Sequence, residues 1–208
     1  MAATGITTEK MAKTPTLETQ RLILRPISLA DSEAIQKYFN DWEIIKNLST
    51  VIPWPYPSNG AENYISEDAL KRIRDISALI WVLVPKSGPD EAIGVIDFSP
   101  GGGAHGDRGF WIASKHQRQG LMSEAIARVN DFLFFTLKIE KFTVVNAKNN
   151  VGSRRVKEKT GAKFLKYGTL NHHSGETKTE TWEVTRENWV RFKTTPKTEN
   201  NESKLGVV

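Results

Sequence analysis

Apolar runs cut by polar, glycine and proline punctuation divide the chain, and the spacing inside those runs switches between two periods. "QRLILRPI" (Gln20–Ile27) reads as a strand closing at Pro26, and Ser28 with Asp31 three residues on marks a helix N-terminus, the helix reaching about Phe39. "VIPWPYPSNG" (Val51–Gly60) places Pro53, Pro55 and Pro57 at every second position, which predicts a loop. After it, Ala61, Tyr64, Ile65, Ala69, Ile73 and Ile76 fall on the buried side of a second helix. "ALIWVLV", "AIGVIDF" and "GDRGFWIA" are β-rich runs separated by turn residues. Gly101 to Gly103, before the last of these, precede no helix and read as a flexible link, not a phosphate loop.

From about Leu121 to Phe135 the period is helical again, with Met122, Ala125, Ile126, Val129 and Leu133 inward. "KFTVVNA" is a strand, "VGSRRVKEKTG" a short helix stopping at Gly161, and "AKFLKYGTL" and "TKTETWEV" form a hairpin around a polar turn at Asn171 to Glu176. The order β-α-α-β-β-β-α-β-α-β-β predicts a mixed sheet covered by helices, in the α/β (α+β mixed) class. Polar, Thr-rich residues 1–16 and residues 193–208 read as flexible tails around one domain over 17–192.

Composition narrows the chemistry. The 208 residues suffice for one well-formed core. Net charge is +5, spread along the chain without a basic block, which suits an anionic ligand and argues against nucleic acid. There is no cysteine, so no disulfide, thiolate nucleophile or thiolate metal centre carries the function, and no metal is expected. With no apolar run of spanning length and no apolar leader at the N-terminus, the expectation is a cytoplasmic protein with no membrane partner. Monomer and homodimer stay open.

"SKHQRQGLMSEAIARV" (Ser114–Val129) sets a polar, cationic run and a glycine directly before a helix. The first N–H groups of a helix have no intrahelical partner and lie at the positive end of its dipole, and a glycine lets a ligand approach the backbone. Such a junction is either an anion cradle or a solvated turn.

Gln117-x-x-Gly120-x-Met122 after a strand resembles the acetyl-coenzyme A motif of the GNAT acetyltransferases, Gln/Arg-x-x-Gly-x-Gly/Ala. "ETQRLILRPISLAD", "PWPYPSNGAENYI", "GFWIA" and "NNVGSRRVKEKTGAKF" are similar, in order, to segments of the RimJ/RimL-type (ribosomal-protein-alanine N-acetyltransferase-like) members. The likeness spans about Leu17 to Trp189. It implies the GNAT fold, a strongly twisted mixed sheet of six to seven strands flanked by about four helices, with acetyl-CoA as co-substrate. It further implies that backbone groups of Gln119, Gly120, Leu121 and Met122 hold the pyrophosphate, with Gln117 and Arg118 also among the cofactor-binding residues. Trp111, Ile112 and Ala113 would pair with the pantetheine arm, and Asn150 and Ser153 would face the thioester. Three positions depart from the pattern. Met122 replaces a small residue, Ala162 replaces a Phe, and Lys157 stands where many members carry a Tyr general acid, so that acid is absent.

In the family an acceptor amine attacks the thioester directly, through a tetrahedral intermediate. Ser153 is a candidate donor to sulfur, or a helix cap. His172 and His173 are candidate bases, since imidazole titrates near neutrality, or an exposed hairpin tip. Trp42, Trp54 and Tyr56 could line the acceptor cleft or simply pack. Asp97 could point into that cleft or be a satisfied strand carboxylate. Arg154, Arg155, Lys157 and Lys159 could reach the 3′-phosphate or form a solvated helix face. The function expected is N-acetyl transfer to a protein or peptide α-amine. The alternatives are a small amine (polyamine, amino acid or antibiotic) as acceptor, or a non-catalytic acyl-CoA-binding module.

Overall fold

A computed structural model of the chain describes Met11 and residues 13–195. Among the described residues, eight strands form two antiparallel sheets. The first contains β1 (Leu17–Glu18), β2 (Leu22–Pro26), β3 (Leu79–Pro85), β4 (Gly94–Phe98) and β5 (Arg108–Ile112) in that order. The second contains β6 (Lys141–Ala147), β7 (Lys163–Thr169) and β8 (Lys178–Thr185), with β8 in the middle. The α/β class predicted from the sequence holds. The single mixed sheet of six to seven strands is replaced by two antiparallel sheets, because β5 and β6 do not form a ladder.

Helices cover the first sheet on both faces. On one lie α1 (Ser32–Phe39), α2 (Trp42–Ile45), α3 (Gly60–Asn63) and α4 (Leu70–Arg74), α3 and α4 being joined by a π-helical turn, Tyr64–Ala69. On the other lies α5 (Leu121–Asp131), prolonged by a second π turn, Phe132–Thr136. Alternation along β3 supplies both cores. Leu79, Trp81 and Leu83 pack with α5, while Ile80, Val82 and Val84 pack under α1 to α4. A strand buried on both faces must be apolar throughout, which is why "LIWVLV" has no polar position.

α6 (Val151–Glu158) follows β6, and α7 (Arg186–Thr194) is the last helix among the described residues. The sequence reading missed α7, although Thr185 caps it by accepting a bond from Asn188 N at 3.0 Å. The leader also needs correction. Met11 and Thr14 are buried, and the Pro15 carbonyl accepts the Trp81 indole N–H at 2.8 Å, so part of the expected tail is packed. Residues 1–10, Ala12 and residues 196–208 of the two expected tails lie outside the described residues.

Candidate functional site

The boundary between the sheets leaves strand edges unpaired. At the base, the Asp107 N–H donates to the Thr143 carbonyl at 2.7 Å and one isolated bridge joins Gly106 to Val144. The Asp107 carboxylate fixes the junction. Oδ2 accepts from Thr143 N (2.6 Å) and Thr143 Oγ1 (2.9 Å), and Oδ1 accepts from Gly101 N (2.7 Å). Beyond that base no ladder joins β5 to β6 among the described residues.

The register shows which groups face the gap. Ala113 N donates to Ile93 O and Ser99 N to Asp107 O, so the hydrogen-bonded pairs of β4 and β5 are those of odd-numbered residues, including Val95 with Trp111 and Asp97 with Gly109. The backbone groups of Phe110 and Ile112 therefore turn to the open edge. On β6 the pairs bonded to β8 are even-numbered, since Arg186 N bonds Glu140 O and Lys148 N bonds Lys178 O, so Val145 and Ala147 turn toward the gap. Of the strand residues expected to meet a ligand, Ile112 is thus available. Trp111 and Ala113 spend backbone hydrogen bonds on β4, and Phe110 takes their place. The Ile112 carbonyl is already met by the Gln117 side chain at 3.2 Å, which folds the following loop against the strand end.

That loop leads to α5 through Gly120, whose φ of +79° is the left-handed conformation glycine adopts freely. No side chain caps α5, and its first intrahelical bond, Glu124 N to Gly120 O, leaves the N–H groups of Leu121, Met122 and Ser123 without intrahelical partners. A Cβ at Gly120 would meet only Arg21 Nη2, at 3.5 Å, so the cradle has room. Leu121 and Met122 send their side chains into the core, which explains how a methionine is accommodated where the family pattern has a small residue. Gln117, Arg118, Gln119 and Gly120 are exposed. Arg21, which sequence reasoning missed, lies over this turn. It donates to the Gln119 carbonyl at 3.0 Å and to the Glu124 carboxylate at 2.7 Å. Burial raises the Glu124 carboxyl, but bonds from Thr19 and Arg21 outweigh it and hold the group below its ordinary value.

At the mouth of the gap, Asn150 caps α6 by accepting Ser153 N at 3.0 Å, so the cap is Asn150 and not Ser153. Ser153 Oγ instead accepts from Lys157 Nζ at 2.7 Å. Lys157 is 1% exposed, contrary to a solvated helix face, and Arg154 is committed to Glu180 at 2.6 Å. Burial, then the charge of Arg108, push the Lys157 amine well below its ordinary value, against the pull of Glu180. Arg108 is also buried, and desolvation brings it down to about 9.

The residues expected at an acceptor cleft belong to two aromatic groups, one of which touches β5 at Trp111. Trp54 packs on Trp42 with the rings tilted (centroids 5.4 Å apart), Trp42 meets the His173 ring edge-on at 6.4 Å, and Tyr56 packs on Phe39, which in turn touches Trp111 at 5.0 Å. Trp42 was expected beside Trp54 and Tyr56, whereas Phe39 was not singled out from sequence as a site residue. The hairpin turn is exposed at Asn171, Ser174 and Gly175, but its two histidines are not. His172 is buried and its Nδ1 donates to the Glu176 carbonyl at 2.8 Å, while His173 Nε2 donates to the Ile52 carbonyl at 2.6 Å. Asp97 is engaged by Arg72 (2.7 Å) and by Ser99 Oγ (2.6 Å), the satisfied carboxylate of the two readings. Among the described residues no group of three or more His, Cys, Asp or Glu could hold a metal ion, and no helix is long and apolar enough to cross a membrane.

The family model for the acetyltransferase (GNAT) domain matches residues 21–163. An uncharacterized N-acetyltransferase of Bacillus subtilis, YoaA, is 31% identical over 169 residues, covering 76% of this chain and 88% of that protein. Among solved structures, Mycobacterium smegmatis RimJ in complex with CoA-disulfide aligns with a TM-score of 0.72 at 18% identity, over 85% of this chain and 90% of its own. The ribosomal-protein-S5-alanine acetyltransferase of Vibrio fischeri aligns with a TM-score of 0.70 at 17% identity, over 84% and 98%. At these identities the two structures speak to the fold alone.

Proposed function

This chain belongs to the GNAT acetyltransferases, an N-acetyltransferase of that type, and from that premise we propose that it moves the acetyl group of acetyl-CoA onto a protein or peptide N-terminal α-amine. The observation that carries the reading is the continuity of one unpaired strand edge with one uncapped helix. The free groups of Phe110 and Ile112 offer an extended amide chain a partner, and the N–H groups of Leu121 to Ser123 offer its pyrophosphate a cradle. Coenzyme A carries both parts and supplies the thioester. Arg21 and Arg118 add positive charge at the cradle. The Ile112 N–H would meet developing negative charge on the acetyl oxygen.

The α-amine follows from proton arithmetic. An α-amine with a pKa near 8 is about 10% neutral at pH 7, and a lysine near 10.4 is neutral in fewer than about one copy in a thousand. Both hairpin histidines already donate a ring N–H to a backbone carbonyl, so each has a structural duty. Weak assistance serves an α-amine, and the RimJ and ribosomal-protein acetyltransferase neighbours support the same acceptor class.

The test measures free thiol release from acetyl-CoA against N-terminal peptides and small amines, alongside the thermal shift produced by coenzyme A. Turnover on peptide α-amines is expected. Turnover confined to small amines would replace the acceptor class, binding without amine-dependent thiol release would favour a non-catalytic module, and neither binding nor turnover would remove the reading.

A further inference from the structure

Two cations are enclosed beside the strand gap. Lys157 on α6 is 1% exposed and Arg108 on β5 is 2% exposed. Arg108 Nη1 donates to Asn130 Oδ1 at 2.6 Å, its guanidinium lies 5.1 Å from the Phe142 ring, and its Nε and Nη2 have no partner among the described residues. The nearby anion, Glu180 on β8, is occupied by Arg154 at 2.6 and 2.9 Å and by Asn146 at 3.1 Å. Lys157 therefore sits in the interior with no carboxylate bonded to it, a placement that packing alone does not require, since methionine or leucine fills similar space without desolvating a charge.

The one hydrogen bond Lys157 makes among the described residues is to Ser153 Oγ, one helical turn back. That oxygen has no other partner there, so its own proton is free to be directed at the gap. Lys157 Nζ also lies 5.7 Å from the ring centroid of Phe110, whose backbone forms the open edge.

We propose that Lys157 is a positioning residue for Ser153, holding its hydroxyl toward the departing sulfur of the coenzyme and replacing the proton that Ser153 gives up. The proposal rests on the acetyl-transfer reading above. As the carbon–sulfur bond breaks, Ser153 delivers its hydroxyl proton to the thiolate, and the Lys157 ammonium returns one to the serine oxygen, becoming a neutral amine. The proton lost by the acceptor nitrogen goes to solvent, from which Lys157 is recharged after the thiol leaves. One proton leaves nitrogen and one arrives on sulfur, so the step balances. The groups facing the Lys157 amine favour this role. Arg108 from β5 and burial both weaken its hold on the proton, and Glu180 from β8 limits the effect.

The test uses the full chain and the variants Lys157→Met, Lys157→Arg, Ser153→Ala and the Lys157→Met/Ser153→Ala double. Lys157→Met should fold, with a melting temperature at pH 7 equal to or above that of the wild type, and should keep the coenzyme A thermal shift. Its kcat should fall at least about tenfold, toward the 10²-fold that general-acid catalysis commonly contributes. The alkaline decline of kcat should disappear, Lys157→Arg should not restore it, and the double variant should be no slower than the worse single one. A kcat within twofold of wild type in Lys157→Met would overturn the relay, as would additive losses in the double variant. A Lys157→Met that loses stability and the coenzyme A shift together would show a structural role. Absence of amine-dependent thiol release in the wild type would instead remove the acetyl-transfer reading on which the relay stands.

Discussion

Replacing Asp107 by alanine tests whether a single carboxylate fixes the base of the strand gap. The side chain accepts two short bonds from Thr143, one from Gly101 N, and a long one of 3.4 Å from Gly102 N. Bonds to a charged acceptor contribute about 1.5–3 kcal/mol each, but water can replace the partner of an exposed donor. Gly101 is exposed, so its share is small, whereas Thr143 is half-buried and belongs to β6. Counting the two Thr143 bonds at the lower end gives a loss of about 3 kcal/mol, within a range of roughly 2–4. For a chain of this size that corresponds to a fall in Tm of roughly 5–15 °C. Urea denaturation with an unchanged slope would measure it directly. Asp107→Asn keeps one carbonyl oxygen and turns an N–H₂ toward a donor on one side, so it should lose about half as much. The KM for acetyl-CoA should rise in both variants, because the base that sets the spacing of β5 and β6 is loosened. A loss below about 1 kcal/mol in Asp107→Ala, or an Asn variant as unstable as the Ala one, would refute the reasoning.

Gly120→Ala should fold with a cost of about 1–2 kcal/mol from backbone strain at positive φ, since its Cβ meets little, whereas Gly120→Asp should also abolish the coenzyme A thermal shift; an undiminished shift in the Asp variant would displace the cradle. The double change His172→Ala, His173→Ala should raise the acceptor KM by undocking the hairpin from Ile52, yet leave the rising limb of kcat/KM with pH in place and tracking the acceptor's own pKa. Loss of that limb would restore a base role to one of them. Lys157 also makes a stability prediction with a definite sign. Its folded-state amine titrates below the 10.5 of a free lysine, so between those two values the unfolded chain binds more protons and stability rises with pH. Wild type should therefore gain on Lys157→Met as pH climbs toward about 10, read as urea midpoints at several pH values, and a pH-independent difference would contradict the burial of a destabilised charge.

What the sequence made legible follows from where the determining physics lies. Strands and helices were readable because burial on a regular backbone writes its period into the side chains, as in "LIWVLV" for a strand covered on both faces. α7 was also written there, in the Thr185–Asn188 cap and the Trp189–Phe192 spacing, and was overlooked because the segment is otherwise polar. The number and pairing of sheets was not readable, because the boundary between β5 and β6 is joined only at its base, through one aspartate meeting a threonine 36 residues away, among the described residues. Lys157 falls between these cases. Among four cations on one short helix it looks solvated, yet it shares a face with Ser153 and Thr160 at helical spacing, and Thr160 is buried too.

The pantetheine edge shows the limit most plainly. Side-chain alternation says which residues of "RGFWI" look up or down from the sheet, but it is silent on which backbone groups point left or right within it. Neighbouring residues send their N–H and C=O to opposite strands, so at most every second residue of Trp111, Ile112 and Ala113 could serve one edge. The choice between the two sets is made by β4, which takes the odd-numbered residues through Ile93 and Ser99 and leaves Phe110 and Ile112 free. A shift of that register by one residue would preserve the apolar content of both strands while moving their side chains to the wrong core, so the packing of Ile112 against α5 and of Trp111 against Phe39 is what fixes the open edge. The binding groups at this gap are thus set by the hydrophobic faces of a strand whose polar backbone does the recognising.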